Sequence, residues 1–242
     1  MTQEMLSITA LTIVAGGVGT ITGFGTSTIM VPVLLLFYPL PQTLLVVGII
    51  HWFGDIWKLL LFREGVRWRL IVAFGIPGLV MSFLGARAVF VADEAQLSRL
   101  LGGILLLYVI FLLVKSSFRI AENSVNAGIG GGLSGFLAGI FGVGGAVRGA
   151  FLLAFDLPKT VYIATSGGIG LIVDTTRLLT YWGGGTRLPE VLALGLIAFI
   201  PASLLGAKLA ERVVDRIPQQ GFRTVVAVFL MLAGIRLLAF PS

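Results

Sequence analysis

Residues 135–145 read Gly-Phe-Leu-Ala-Gly-Ile-Phe-Gly-Val-Gly-Gly, and a related stretch beginning at Gly19 lies in the first half of the chain, with further glycines at positions 23 and 25. In both halves a short apolar run and a proline follow. The likeness continues downstream, at an offset that drifts only from 116 residues (Gly19 to Gly135) to 121 (Leu84 to Leu205). The matching segments are Pro41-Gln-Thr with Pro158-Lys-Thr, Asp55-Ile-Trp-Lys58 with Asp174-Thr-Thr-Arg177, and Leu84-Gly-Ala-Arg87 with Leu205-Gly-Ala-Lys208. The chain therefore contains an internal duplication.

The composition places this duplication in a lipid bilayer. Of the 242 residues 57% are hydrophobic and 12% are charged, whereas about 25% of residues are charged in an ordinary soluble domain. Several apolar stretches approach the roughly 20 residues that a membrane-spanning helix needs, and none shows the strict alternation of barrel strands. These stretches lie near residues 6–22, 44–62, 70–91, 97–114, 160–182, 188–209 and 221–240. The sequence predicts an all-α integral membrane protein.

Charge and cysteine content exclude other classes of function. The net charge of +6 is spread over the chain, so it fits basic cytoplasmic loops and no nucleic-acid-binding module. The absence of cysteine excludes disulfides and cysteine catalysis. Because membrane chains with internal repeats are typical of secondary transporters, we expect a binding site between the two halves. No cofactor is expected, and the chain is not expected to be an enzyme.

The halves are expected to meet in a short connector near residues 116–126. There Lys115, Arg119 and Glu122 interrupt the apolar pattern, and Asn123 is one of several suitable helix starters. This divides the chain into a first transmembrane repeat, residues 1–120, and a second, residues 121–242.

Each half opens with a glycine-spaced helix, a glycine-rich break (residues 24–28 and 141–145) and about ten apolar residues, which span only about 15 Å. This opening is either a bent full-length helix or a re-entrant hairpin. A bent helix would leave seven Lys and Arg on each side of the membrane, whereas a hairpin leaves ten on one side and four on the other, as the positive-inside rule requires. The ten are Arg63, Arg67, Arg69, Lys115, Arg119, Lys159, Lys208, Arg212, Arg216 and Arg223, and the four are Arg87, Arg99, Arg187 and Arg236.

The hairpin alternative leaves three full crossings per half. An odd number of crossings makes the two repeats inverted with respect to each other. We therefore predict six transmembrane helices and two re-entrant hairpins in the plasma (inner) membrane, with both termini outside the cytoplasm.

Lys58, Arg148 and Arg177 lie within apolar segments rather than in loops. A charge at the bilayer centre costs about 2.5 to 3.5 kcal/mol even on insertion scales, so each is expected to face a partner, a cavity or a substrate. For Lys58, five residues before Arg63, snorkelling to the membrane edge is an alternative.

His51, Asp55 and Lys58 have the i, i+4, i+7 spacing of one helix face, and the second half repeats the carboxylate and the cation as Asp174 and Arg177. Two hypotheses follow. Either each Asp neutralises its neighbouring cation and fixes helix packing, or the cations face an anionic substrate while the carboxylates position them or bind a coupling ion.

His51 is the only histidine. Histidine has an ordinary pKa near 6.5, so His51 is a candidate for proton coupling, with a hydrogen-bonded structural role as the alternative. No neighbouring ligand pattern predicts a metal site.

Arg148 follows the second glycine break, near the start of the half-helix beyond it. The free N–H groups and positive dipole of a broken helix favour an anion, and a guanidinium beside them suits an oxyanion. Pairing with Asp55 or Asp174 is the alternative. Further predicted contributors to the site are Ser27, Thr28, Gly144, Gly145 and Ser166, together with Thr165, although helix packing explains the last two equally well.

The doubled arrangement of glycine-broken openings, clearest at residues 135–145, resembles the TauE/SafE family of sulfite and organosulfonate exporters over nearly the whole chain. The resemblance implies transport of sulfite, sulfoacetate or a related sulfonate, by an ion-coupled carrier. Two positions depart from the family pattern: Gly149 stands where a proline is usual, and the first break reads Gly23-Phe-Gly-Thr-Ser-Thr.

The expected function is secondary transport of a small sulfur-containing oxyanion. An anion channel with uncoupled flux and, less well supported, a membrane-embedded enzyme subunit are the alternatives. The expected partners are the small anion, membrane lipid and a coupling H⁺ or Na⁺, without nucleic acid, and the sequence leaves open whether the protein forms a homodimer.

Overall fold

The computed structural model describes residues 3–22, 25–114, 119–213 and 219–240. Some residues named above lie outside this description: Gly23, Phe24, Lys115, Arg216 and the side chain of Arg223. The described residues form ten α-helices and one 3₁₀ turn, and they contain no strand, which confirms the all-α prediction. The helices are α1 (Gln3–Thr22), α2 (Ser27–Leu34), α3 (Leu40–Leu61), α4 (Trp68–Ala88), α5 (Glu94–Val114), α6 (Ser124–Phe141), α7 (Gly144–Ala154), α8 (Lys159–Gly183), α9 (Glu190–Val213) and α10 (Gln219–Ala239), and the 3₁₀ turn is Arg63–Gly65.

Among the described helices, α1, α3, α4, α6 and α9 are long and apolar enough to cross a membrane. Helix α8 has 25 residues but is less apolar, because its buried face carries polar and charged residues. Helices α2 and α7 have 8 and 11 residues and reach only about 12 and 17 Å. The number of crossings and the side of the termini stay predictions.

Both halves open with a helical hairpin, as the glycine breaks predicted. In the first, the N–H of Gly25 donates to the carbonyl of Gly19 at 3.3 Å. In the second, the hydroxyl of Ser134 donates to the carbonyl of Gly144 at 2.9 Å. Gly25 and Gly142 turn the chain with φ of 83° and 71°, a left-handed conformation that glycine adopts without strain. The short helix in each hairpin therefore folds back along the long one.

The helices of one half pack mainly on helices of the other half. Helix α4 packs on α6 as α9 packs on α1, helix α4 also contacts α8 as α9 contacts α3, and α3 pairs with α8 and α5 with α10. Close approach requires glycine in these interfaces, since a β-carbon at Gly135 would lie 2.1 Å from the carbonyl oxygen of Gly78. The two halves thus share one interior.

The outer surface is apolar. Large hydrophobic side chains such as Phe37 and Ile197 are 73% and 77% exposed. A water-soluble protein rarely exposes large continuous apolar patches. The multi-pass membrane location follows from this surface and from the long apolar helices.

Candidate functional site

Helices α3 and α8 form the scaffold of the site because they run antiparallel at close range. A β-carbon on Gly48 would lie 3.4 Å from the guanidinium carbon of Arg177, near one end of the contact, and one on Gly167 would lie 3.1 Å from the β-carbon of Lys58, near the other. A β-carbon on Gly170 would lie 1.7 Å from Asp55 Oδ2. These small residues let the charged side chains of each helix lie against the backbone of the other.

Six side chains meet at this contact, and we name them the charged cluster: His51, Asp55, Lys58, Arg148, Asp174 and Arg177. Each is at most 2% exposed. They come from α3, α7 and α8, so the structure joins both halves of the chain at one buried position.

Each carboxylate of the cluster pairs with the cation three residues later on its own helix. Lys58 Nζ donates to Asp55 Oδ1 at 2.7 Å, and Arg177 Nε donates to Asp174 Oδ1 at 2.7 Å. Both pairs of the ion-pair hypothesis are therefore present. Lys58 is only 1% exposed, so it does not snorkel to the membrane edge, because Asp55 offers a partner inside the protein.

His51 connects the two pairs. Its Nδ1 is hydrogen-bonded to Oδ2 of Asp174 on the opposite helix and lies 3.6 Å from Oδ2 of Asp55. Because an ionised carboxylate only accepts hydrogen bonds, Nδ1 carries the proton of this contact.

Arg148 reaches the cluster from the start of α7. Its Nε donates to the hydroxyl of Ser166 at 3.0 Å, and its Nη2 lies 4.0 Å from Asp55 Oδ2. The structure thus brings Arg148 and Ser166 together, and places the guanidinium of Arg148 beside Asp55.

The cluster has an excess of positive charge and of hydrogen-bond donors. Three basic side chains against two carboxylates give a formal net charge of +1, or +2 when His51 is protonated. Four buried polar atoms of the cluster have no hydrogen-bond partner among the described residues. Arg148 Nη2 and Arg177 Nη1 are donors, His51 Nε2 is a donor only when the ring is protonated, and Asp55 Oδ2 is an acceptor. Buried donors without partners are costly, so the arrangement is suited to an anion.

Both glycine breaks lie against the cluster. A β-carbon on Gly25 would lie 2.0 Å from His51 Nε2, and one on Gly142 would lie 3.4 Å from Arg177 Nη1. The same atom on Gly142 would lie 3.0 Å from Val31 of α2, so the two hairpins also meet each other. Two of the unpartnered nitrogen atoms, His51 Nε2 and Arg177 Nη1, therefore lie at the two breaks.

The remaining predicted residues differ in their surroundings. Ser27 and Thr28 are buried on the first turn of α2. Gly144 is packed against α6, where a β-carbon would lie 2.1 Å from the carbonyl oxygen of Ser134, and Gly145 is the buried residue after it. The hydroxyl of Thr165 accepts a hydrogen bond from the N–H of Arg67 at 3.3 Å, and Arg67 is not part of the charged cluster.

Two features of the site escaped the sequence analysis. Gly170 makes room for Asp55, and Tyr181, one turn after Arg177, is buried and hydrogen-bonded to the carbonyl of Gly139. The i, i+4 spacing of Arg177 and Tyr181 was the available signal for the tyrosine.

The structure also brings three metal-binding residue types together, since ligand atoms of His51, Asp55 and Asp174 lie within 4.8 Å of one another. No spacing in the sequence indicates this group, because His51 and Asp174 are 123 residues apart. The residues do not fit a metal ion, since both carboxylates already pair with cations and the surrounding charge is positive. We assign no metal here.

A surface groove of about 860 Å³ lies between α4 and α8, with Phe83, Arg87, Phe90, Thr176 and Thr180 among its lining residues. It contains none of the charged cluster.

A family model described as sulfite exporter TauE/SafE matches residues 8–237, a span that takes in both hairpins and the whole charged cluster. None of the curated proteins compared with the chain matches it.

Proposed function

The chain belongs to the TauE/SafE sulfite exporter family of membrane transporters, and we propose that it is a secondary transporter that binds a small sulfur oxyanion at the charged cluster. Sulfite, sulfoacetate and related organosulfonates are the proposed substrates. The observation that carries the proposal is that two buried guanidinium groups with unpartnered N–H donors, Arg148 Nη2 and Arg177 Nη1, lie with His51 Nε2 in a cluster of net positive charge.

The chemistry of these atoms suits a sulfo group. His51 Nε2, Arg148 Nη2 and Arg177 Nη1 belong to three different helices, and a sulfite or sulfonate group offers three oxygens as acceptors. Guanidinium groups form charge-assisted hydrogen bonds with such oxygens. Ser27, Thr28, Gly144 and Gly145, at the starts of α2 and α7, are proposed to add N–H and hydroxyl donors when the anion binds.

We further propose that residues 1–120 and 121–242 form inverted repeats around this site. Helices α3 and α8 carry the matching Asp-x-x-Lys and Asp-x-x-Arg segments, and their contacts are antiparallel. If both helices cross the membrane, equivalent helices that run in opposite directions belong to inverted halves. Such halves can exchange access to a central site between the two sides.

A carrier fits the structure better than a channel with the same basic residues. The six side chains of the cluster are at most 2% exposed, which is the arrangement of an occluded site rather than of an open pore. In proteoliposomes a carrier saturates and shows counterflow, whereas conductance without counterflow would identify a channel.

The first test is stabilisation by ligand. Purified protein in detergent is melted with sulfite, sulfate, thiosulfate, sulfoacetate or taurine at constant ionic strength, with chloride as the reference. An anion present at about 100 times its Kd adds about 2.7 kcal/mol, or roughly 5 to 11 °C for a chain of this size. If none of the five raises the melting temperature above that in chloride, the proposal is refuted.

The second test is Arg148→Ala, with Arg69→Ala as the matched control because Arg69 is exposed. Losing a charged hydrogen bond costs about 1.5 to 3 kcal/mol, so Arg148→Ala is expected to bind the stabilising anion roughly 10- to 150-fold more weakly. Its fold is expected to persist, since Asp55 keeps Lys58 as its partner. Equal affinities in the two variants would remove Arg148 from the site.

A further inference from the structure

His51 differs from the other five residues of the charged cluster because it is neither a carboxylate nor a cation that a carboxylate must neutralise. Asp55 is paired at 2.7 Å with Lys58, and Asp174 at 2.7 Å with Arg177. Protonating either carboxylate would leave a buried cation without its partner, which is strongly unfavourable. The histidine is therefore the group that can take up a proton without breaking an ion pair.

Charged groups from three helices surround His51. They are Asp55 and Lys58 on α3 itself, Asp174 and Arg177 on α8, and Arg148 on α7 through Asp55. Helix α2 has no titratable residue, and the charged residues described on α1 and α9 are exposed. Two carboxylates within 3.6 Å of Nδ1 stabilise a charged imidazole, and the three cations act against it.

The hydrogen bond to Asp174 keeps a proton on Nδ1, so the other nitrogen changes its chemistry on protonation. In the neutral ring Nε2 is an acceptor and repels an anion, whereas in the protonated ring it is a donor. Nε2 is buried without a partner and lies against Gly25, at the first break. Protonation therefore creates an anion-binding donor at the place where the first hairpin meets the cluster.

We propose that His51 takes up a proton when the anion binds, that its Nε2–H donates to the anion at the Gly25 break, and that proton and anion cross the membrane together. This inference rests on the proposed function and names H⁺, rather than Na⁺, as the coupling ion. Thermodynamic linkage makes the coupling reciprocal: the anion favours protonation of His51 as much as protonation favours the anion.

The test is the pH dependence of sulfite binding, measured by calorimetry between pH 6 and 8.5 for the wild type and His51→Gln. Sulfite itself titrates in this range, but its titration is the same for both proteins. Binding that requires one additional proton weakens by up to about tenfold per pH unit above the titration of that group. As the pH rises, the affinity of the wild type for sulfite is expected to fall more steeply than that of His51→Gln, by up to about tenfold more per pH unit.

Trp52→Phe is the control for general disturbance of the α3–α8 contact, since Trp52 Nε1 donates to Thr175 Oγ1 at 2.9 Å and tryptophan does not titrate. It is expected to keep the wild-type slope. Equal slopes in the wild type and His51→Gln would overturn the inference while leaving the anion site intact. Sulfite that binds at no pH would instead refute the proposed function.

A measurement on the wild type covers the case in which His51→Gln does not fold. Calorimetry in two buffers of different ionisation enthalpy gives the number of protons taken up per bound sulfite. We expect up to one proton beyond those that the titration of sulfite accounts for. No excess uptake at any pH, or a requirement for Na⁺ over choline in proteoliposome uptake, would contradict proton coupling through His51.

Discussion

Replacing Asp55 by Asn tests whether the cluster is held together by its buried ion pairs. The substitution keeps the shape of the side chain but leaves Lys58, which is 1% exposed, without the carboxylate that lies 2.7 Å from its Nζ. The net charge of the cluster rises by one unit. Breaking a buried pair in this way costs about 3 to 5 kcal/mol.

For a chain of this size that cost corresponds to a fall of roughly 6 to 20 °C in apparent melting temperature. The assay is thermal unfolding in detergent without added anion. Glu211→Gln is the matched control because Glu211 is exposed on α9, and it is expected to melt like the wild type. Melting of Asp55→Asn at the temperature of this control would refute the argument that the pair stabilises the fold.

The double variant Asp55→Asn, Lys58→Gln then separates the two hypotheses for the pair. Removing both charges leaves no unpaired lysine, although Arg148 loses its 4.0 Å contact with Asp55, so we expect most of the lost stability to return. If the pair only fixes helix packing, this variant transports like the wild type. If Lys58 and Asp55 take part in anion binding or coupling, it is stable and inactive, which is the result we expect.

Two further predictions use the packing and the surface of the protein. Gly170→Ala would place a β-carbon 1.7 Å from Asp55 Oδ2, so we expect this variant to lose anion binding and to melt at a lower temperature. In the control Gly183→Ala, on the same helix, the β-carbon meets nothing within 4 Å, and the variant should behave like the wild type. Normal binding by Gly170→Ala would show that the carboxylate of Asp55 need not be held there. Arg67→Ala removes an exposed ion pair with Glu122, which contributes at most about 1 kcal/mol to stability. The melting temperature of the variant should fall by less than about 4 °C, and its transport should be unchanged. A larger fall would mean that this contact between the halves is stronger than its exposure indicates.

Local features of the sequence predicted much of the fold. Asn123 was expected to start the second half, and it caps α6 by accepting the N–H of Asn126 at 2.8 Å. The glycine breaks predicted an interruption of the opening helix in each half, and Gly25 and Gly142 turn the chain there with positive φ. These features depend on residues close together in the chain, so their physics can be read from a short window.

The partners of the buried charges could be predicted only in part. Pairing of Asp55 with Lys58 and of Asp174 with Arg177 follows from helical spacing. The bond between His51 and Asp174 joins residues 123 positions apart, and helical spacing within one segment says nothing about which residues of another helix it meets. The place of Thr165 in the site stays a prediction, with helix packing as its alternative, and its hydroxyl accepts the N–H of Arg67.

The sequence by itself determined the membrane class, the duplication and the presence of charges too costly to leave in lipid, because hydrophobicity, repetition and charge are properties of the residues alone. Only the tertiary structure decided that both carboxylates share one histidine and that the two glycine breaks lie against His51 and Arg177. Those facts depend on the register of α3 against α8 and on how closely glycine lets backbones approach. That register is set by packing between the halves.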